Sequence, residues 1–170
     1  MWWWRGMGCR ATIRPGDTDK RGSFRDTRVV DIARAEAGIQ ARLADADLLW
    51  QLGRRESAFL LALTALGARS RLALPEVKGD RDAFVTYLKA QHGWRIEIEY
   101  RGKQWSIDNL IYTWLRCQLV HEGALPIDLV IDDTLSQNGG LSVRAGGAPE
   151  YVLLLSPAWF DFISSAADPG

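Results

Sequence analysis

The stretch RRESAFLLALTALGARSRL, residues 54–72, decides the fold. It is long enough for about five helical turns, and from Ala58 to Leu66 it is apolar almost all round. A helix with apolar side chains on every side has to be covered by other elements on several sides. We therefore predict a central helix inside a mainly helical domain.

Three further helices are predicted around this central one. An apolar residue recurs every three to four positions from Ile32 to Trp50, which predicts a helix from Asp31 to about Gly53. The segment RDAFVTYLKAQHG (81–93) predicts a third helix, with Asp80 as its N-cap and Gly93 as its stop. The segment IDNLIYTWLRCQLVHE (107–122) predicts a fourth, capped by Ser106 and ending at Gly123.

The β-structure is expected in two places. The segment RIEIEYRGKQWS (95–106) alternates apolar and acidic residues up to an RGK turn, which predicts a small hairpin inserted before the fourth helix. Three short strands are predicted in IDLVIDD (127–133), LSVRAG (141–146) and YVLLLS (151–156), followed by a last helix with Ser156 as cap and Pro157 at its first position. This tail either covers one end of the helices or offers an edge to a partner.

Length and charge indicate one soluble domain. The chain has 170 residues, 47% of them hydrophobic, and its basic and acidic side chains balance, which excludes a protein that coats nucleic acid along its whole surface. Residues 1–28 carry seven basic and three acidic side chains without periodicity, so we expect a disordered leader or a mis-assigned start. The domain is then 29–170, with a helical core at 31–125 and a β-rich cap and final helix at 126–168. The fold class is mainly α (α+β).

Two cysteines in unlike contexts provide no disulfide framework, and no signal peptide or membrane span is recognisable. We therefore expect a cytoplasmic protein that does not bind membranes.

The fourth helix contains two polar residues that its apolar pattern does not explain. In TWLRCQLVHEG (113–123), Arg116 and His121 stand among Trp114, Leu115 and Val120, where a charged or titratable group is costly unless it is paired or used. The two are five positions apart, or about 140° around a regular helix, so they do not share a face. A second copy of this helix, packed antiparallel, would bring two such pairs into one cleft, and we expect a homodimer.

The segment LRCQLVHEG resembles the signature of the HEPN superfamily, an arginine followed after four to six residues by a histidine near a helix end. The preceding apolar helix is similar to the central helix of that superfamily. The resemblance covers roughly residues 31–125 and implies a HEPN-like four-helix core. It also implies a metal-independent endoribonuclease without cofactors, usually dimeric, often in toxin–antitoxin, CRISPR or phage-defence systems. The partners it implies are RNA and an antitoxin or defence-system protein.

Carried onto this chain, the resemblance makes His121 the general acid or base and Arg116 the holder of the scissile phosphate. Imidazole titrates near neutral pH, and a guanidinium offers phosphate a permanently charged fork. Cys117 stands where active members commonly place Asn, Asp or His, which puts catalysis in question. Glu56 is the expected carboxylate partner of Arg116, and Gln118 and Glu122 are candidate supporting residues.

Several alternatives stand beside this interpretation. His121 is equally explained as a helix-terminal histidine stabilised by the helix dipole. Cys117 and His121 are four apart and could ligate a metal, but further ligands are missing, and we expect none. Arg95, Arg101 and Lys103 are candidates for RNA contact or are scattered surface charge. The alternative function is an inactive module that binds RNA, a nucleotide or a partner protein. A third reading is a stable helical domain whose Arg116 and His121 are paired internally.

Overall fold

A computed structural model describes residues 31–138, 140–146 and 152–168, so the predicted leader lies outside the described residues. The fold is mainly helical with two small sheets, as predicted. The first three helices are α1 (Ile32–Gln51), α2 (Arg55–Ala73) and α3 (Asp80–Ala90). The carboxylate of Asp31 caps α1 by accepting the Arg34 N–H at 3.1 Å, and Gly53 follows with a left-handed φ of 73°.

The fourth helix runs without a break but changes its winding in the middle. It consists of α4 (Ile107–Leu110), a π-helical segment (Ile111–Arg116) and α5 (Cys117–His121). Ser106 caps it as predicted, accepting from the backbone N–H of Asn109 at 3.5 Å and from its side-chain amide at 2.8 Å. The apolar pattern predicts a regular α-helix here, and that prediction is wrong over the six π-helical residues. π-Helical turns are rare and occur frequently at functional sites.

The predicted hairpin is confirmed as β1 (Glu97–Tyr100) and β2 (Lys103–Ser106), which pair antiparallel. The second sheet has β5 (Leu153–Leu155) at its centre, parallel to β3 (Leu129–Ile131) and antiparallel to β4 (Val143–Ala145). A 3₁₀ helix (Asp133–Asn138) follows β3, and α6 (Ala158–Ala167) follows β5. The three predicted C-terminal strands are therefore confirmed, each shorter than its sequence pattern.

The helix α2 is the centre of the core, as its all-round apolar pattern predicts. Eight of its residues are buried, from Ala58 to Ser70, and it packs against α1, α3, α6 and the fourth helix. The α1–α2–α6 junction is aromatic, because Phe160 stacks on Trp50 at 4.3 Å and meets Phe59 edge-on at 5.8 Å. The tail thus covers the helical core with α6.

Two predicted caps are wrong. Gly79 occupies the N-cap position of α3, so Asp80 is the first helical residue and its carboxylate is turned to other partners. The N-cap of α6 is Pro157, and the Ser156 hydroxyl instead accepts from the Ser142 N–H and donates to the Gly140 carbonyl. The side chains of Asp80 and Ser156 form hydrogen bonds to residues distant in sequence, which a local capping pattern does not predict. Within the described residues, no helix has the length and apolar character needed to cross a membrane.

Candidate functional site

Arg116 ends the π-helical segment and points into a groove between the fourth helix, α2 and α3. Its Nη1 lies 2.9 Å from Oδ2 of Asp80, and its side chain is only 18% exposed. The ring of Tyr112, four residues earlier on the fourth helix, lies 5.1 Å from the guanidinium carbon. Phe84 of α3 presents a second ring at 5.8 Å. The guanidinium is therefore held between one carboxylate and two aromatic rings.

The opposite edge of the guanidinium lies against the backbone of α2 at Gly67. A Cβ added to Gly67 would stand 3.3 Å from Nε of Arg116 and 3.4 Å from its Nη2. Nε is buried and has no hydrogen-bond partner within the part of the chain that the structure describes. Glycine in the middle of a helix is unfavourable by about 1 kcal/mol relative to alanine. The space it leaves here is used by Arg116.

Tyr112 and Asp80 form a hydrogen bond that completes this cluster. The phenol donates to Oδ2 of Asp80 at 3.0 Å, the same oxygen that Arg116 contacts. Burial, followed by the hydrogen bond to the carboxylate, raises the pKa of Tyr112 to about 12. The phenol is therefore a protonated donor throughout the neutral range, and two donors converge on one oxygen of Asp80.

His121 ends α5, and the structure leaves it exposed. Among the described residues, no hydrogen bond or ion pair joins its ring to Arg116. The five-residue separation corresponds to about 140° of rotation and about 7.5 Å of rise. One chain thus does not bring the two predicted catalytic side chains together, as the spacing predicts.

The outer side of the fourth helix and the segment after it carry apolar side chains in solvent. Val120, next to His121, is 44% exposed, and Ile127 is 98% exposed. Cys117 is a free thiol of intermediate exposure on the same helix. Gln118 is half-buried and Glu122 is exposed, and neither side chain forms an ion pair with Arg116 among the described residues. The fourth helix therefore exposes an apolar side chain directly before His121, and a second one follows in the next segment.

The expected pair between Arg116 and Glu56 is not formed. Oε2 of Glu56 accepts the backbone N–H of Leu125 at 3.2 Å, which fastens the loop after α5 to the start of α2. Asp80 takes the place predicted for Glu56. The reason is geometric, since Arg116 points towards α3 and the Gly67 turn of α2, eleven residues beyond Glu56.

Arg101, predicted to contact RNA, is committed to an internal ion pair. It makes a bidentate contact to Asp128, with Nε at 2.8 Å and Nη2 at 2.6 Å, and its guanidinium carbon lies 4.4 Å from the Trp114 ring centre. Tyr100 donates to the same carboxylate at 2.7 Å. The Arg101 contact, with a further contribution from the Tyr100 hydrogen bond, lowers the pKa of Asp128 to about 2 despite opposing desolvation. Arg95 and Lys103 remain exposed.

A buried pair that the sequence did not suggest fixes the start of the fourth helix. Nε2 of His92 lies 2.8 Å from Oδ1 of Asp108, with side chains 2% and 6% exposed. Trp94 stacks on the imidazole at 4.5 Å. This contact ties the end of α3 to the first turn of the fourth helix, so the two elements that carry Asp80 and Arg116 are also joined at a second point.

Asp80, Tyr112 and Gly67 are the residues that sequence reasoning missed. The glycine inside a strongly helical run was a usable signal, because such a glycine often marks a close approach. The i,i+4 spacing of Tyr112 and Arg116 was a second signal. Nothing in the sequence connects Asp80, 36 positions earlier than Arg116, to either of them.

Comparison of the chain with protein-family models, with curated proteins and with solved structures finds no match. Within residues 31–138, 140–146 and 152–168, no group of three or more His, Cys, Asp or Glu side chains is placed to hold a metal ion.

Proposed function

We propose that this chain is a metal-independent, HEPN-type endoribonuclease whose site is completed by a second copy of the chain. The observation that carries the proposal is the split location of its two reactive groups. Arg116 is held in a groove by Asp80 and Tyr112, whereas His121 is free and exposed at the end of the same helix. Neither group alone can bind a phosphate and also move a proton.

Exposed apolar side chains on the fourth helix and in the segment after it support a second copy as the missing part. Val120 and Ile127 are well exposed, and association would remove them from water. In the dimer proposed here, two fourth helices meet in an isologous contact, with His121 of one copy near the groove of the other. The Arg116 guanidinium then holds the scissile phosphate, and His121 exchanges a proton with the 2′-hydroxyl or the leaving 5′-oxygen.

The proposal is tested with purified full-length protein, single-stranded RNA and EDTA. Cleavage is expected to leave 2′,3′-cyclic phosphate ends. It should not occur after a nucleotide whose 2′-hydroxyl is replaced by hydrogen. His121→Ala and Arg116→Ala are expected to abolish it while the dimer persists. If the wild-type chain cut no RNA, or cut DNA equally well, the proposal would fall.

Arg69 provides a matched control for Arg116. It is a half-buried arginine, 15% exposed, and it is ion-paired to Glu36, whose side chain is 39% exposed. The corresponding exposures for Arg116 and Asp80 are 18% and 44%. Arg69→Ala therefore imposes a similar structural cost and should leave cleavage intact. Equal losses in the two variants would mean that Arg116 acts only through stability.

A second candidate function is a HEPN-like module that binds RNA without cutting it. Two observations favour it: Asp80 already occupies Nη1 of Arg116, and Cys117 supplies only a weak thiol donor beside the site. This function predicts RNA binding that Arg116→Ala weakens and His121→Ala leaves unchanged, with no cleavage by any variant.

A further inference from the structure

We propose that Asp80 is a built-in competitor for the phosphate that Arg116 would bind, so that this carboxylate restrains the site. The inference rests on the proposed function for the identity of the ligand, an RNA phosphate. The geometry around Arg116 does not depend on that identity, because it decides only which edge of the guanidinium an anion can reach.

The accessible edge of Arg116 is decided by α2. The Nε–Nη2 edge lies against Gly67, so close that even a methyl group there would touch it. The remaining end, Nη1, faces α3 and is taken by Asp80 at 2.9 Å. A phosphate oxygen that approaches Nη1 from the α3 side has to take the place of the Asp80 carboxylate.

The same position is already shaped for an anion. The Tyr112 hydroxyl donates to the Asp80 oxygen that Nη1 contacts, and its raised pKa keeps this donor protonated. Phosphate oxygens are acceptors for the same two donors, and a guanidinium binds them as it binds a carboxylate. Carboxylate and phosphate therefore compete for one pair of donors.

The Asp80 side chain is exposed enough to move away from Arg116 into solvent. The Asp80 side chain is 44% exposed, whereas that of Arg116 is 18% exposed. Asp80 is also the first residue of α3, where a short rotation of its side chain reaches solvent without disturbing the helix. Displacement thus costs the ion pair and its hydrogen bond, with Arg116 staying in place.

The test replaces Asp80 in the full chain with the isosteric amide, Asp80→Asn, and with Asp80→Ser as a second variant. Both should tighten binding of a single-stranded RNA about five-fold, which is the affinity equivalent of one partly exposed ion pair. The Tm increase caused by inorganic phosphate should grow in the same variants. Binding is measured in a His121→Ala background so that cleavage does not deplete the RNA.

Glu36→Gln is the matched control, because it removes one negative charge from a similarly exposed ion pair elsewhere on the surface. It should change neither RNA affinity nor the phosphate-induced Tm shift. The gain in Asp80→Asn should also disappear when Arg116→Gln is added. A gain that Glu36→Gln reproduces, or that survives Arg116→Gln, overturns the proposal, and so does an Asp80→Asn variant in which neither RNA binding nor the phosphate-induced Tm shift increases.

Two outcomes distinguish the competitor role of Asp80 from the ribonuclease activity. If no variant binds RNA but the phosphate-induced Tm shift grows in Asp80→Asn alone, the competitor role stands and the ribonuclease proposal falls. If the wild-type chain cuts RNA and Asp80→Asn neither binds phosphate better nor cuts faster, the competitor role falls and the ribonuclease proposal stands.

Discussion

Gly67 is the most direct probe of whether Arg116 is held rigidly in its groove. Replacing a mid-helix glycine with alanine ordinarily stabilises a helix by about 1 kcal/mol. At Gly67 the new Cβ would lie 3.3 Å from Nε and 3.4 Å from Nη2 of Arg116. Withdrawal of the guanidinium from the new Cβ would disturb its 2.9 Å contact with Asp80. We expect this strain to cancel the gain, leaving the unfolding free energy within about 0.5 kcal/mol of wild type.

Gly38 on α1 is a matched control in the same chain. A Cβ there would lie 3.1 Å from Nη1 of Arg42, a closer approach than at Gly67. Arg42, however, is exposed and is held only by a hydrogen bond to the Gly38 carbonyl, so it can swing into solvent. Gly38→Ala is therefore expected to give the full gain, which for a chain of this size raises Tm by about 2–4 °C.

Urea unfolding followed by circular dichroism measures both substitutions. The two should differ by about 1 kcal/mol, and Gly67→Ala should become stabilising when Asp80→Asn releases the guanidinium. If Gly67→Ala stabilises the wild-type chain as much as Gly38→Ala does, Arg116 moves freely and is not held by Asp80 and Tyr112.

Three further predictions concern the Arg101–Asp128 ion pair beside the hairpin and Cys117 in the fourth helix. Because the pKa of Asp128 is lowered to about 2, its ion pair stabilises the chain above pH 4 and this contribution is lost as the pH falls towards 2. In Asp128→Asn the drop in unfolding free energy between pH 4 and pH 2 should therefore shrink by about 1–2 kcal/mol, and an unchanged pH profile would contradict the assignment. Arg101→Lys should lower the free energy of unfolding in urea by about 1 kcal/mol, because an ammonium cannot make the bidentate contact to Asp128. An unchanged free energy of unfolding would show that the bidentate contact does not stabilise the chain. Cys117→Asn should raise the rate of RNA cleavage by supplying a stronger hydrogen-bonding group, whereas an unaltered rate would assign Cys117 a packing role.

The helical plan was predictable because it depends on periodicity and on local caps. The all-round apolar run of α2 placed it at the centre, and the Ser106 cap and the hairpin turn were correct since each depends on residues close in sequence. The three C-terminal strands were predicted, but the parallel pairing of β3 with β5 depends on a long-range crossover that alternation alone does not specify.

The errors share one physical cause, which is long-range contact. The π-helical winding that ends at Arg116 occurs where the fourth helix contacts α2 and α3, and the apolar pattern of a helix does not distinguish it from α-helix. Asp80 has the right composition and position for a cap, yet its carboxylate bonds with Tyr112 and Arg116, 32 and 36 positions away. Glu56 was a reasonable partner for Arg116 on composition, and only the direction of the arginine side chain excludes it.

Subunit complementation tests most directly whether the ribonuclease site is shared between two copies. Arg116→Ala and His121→Ala chains are co-expressed, purified together without separating the dimers, and assayed on single-stranded RNA. Random pairing makes half of the dimers mixed, each with one intact site built from the Arg116 of one chain and the His121 of the other. The mixture is therefore expected to regain about a quarter of the wild-type activity, although each variant alone is inactive. Mixed dimers that form and stay inactive, beside a wild-type chain that cuts RNA, would contradict a site shared across the two-fold axis.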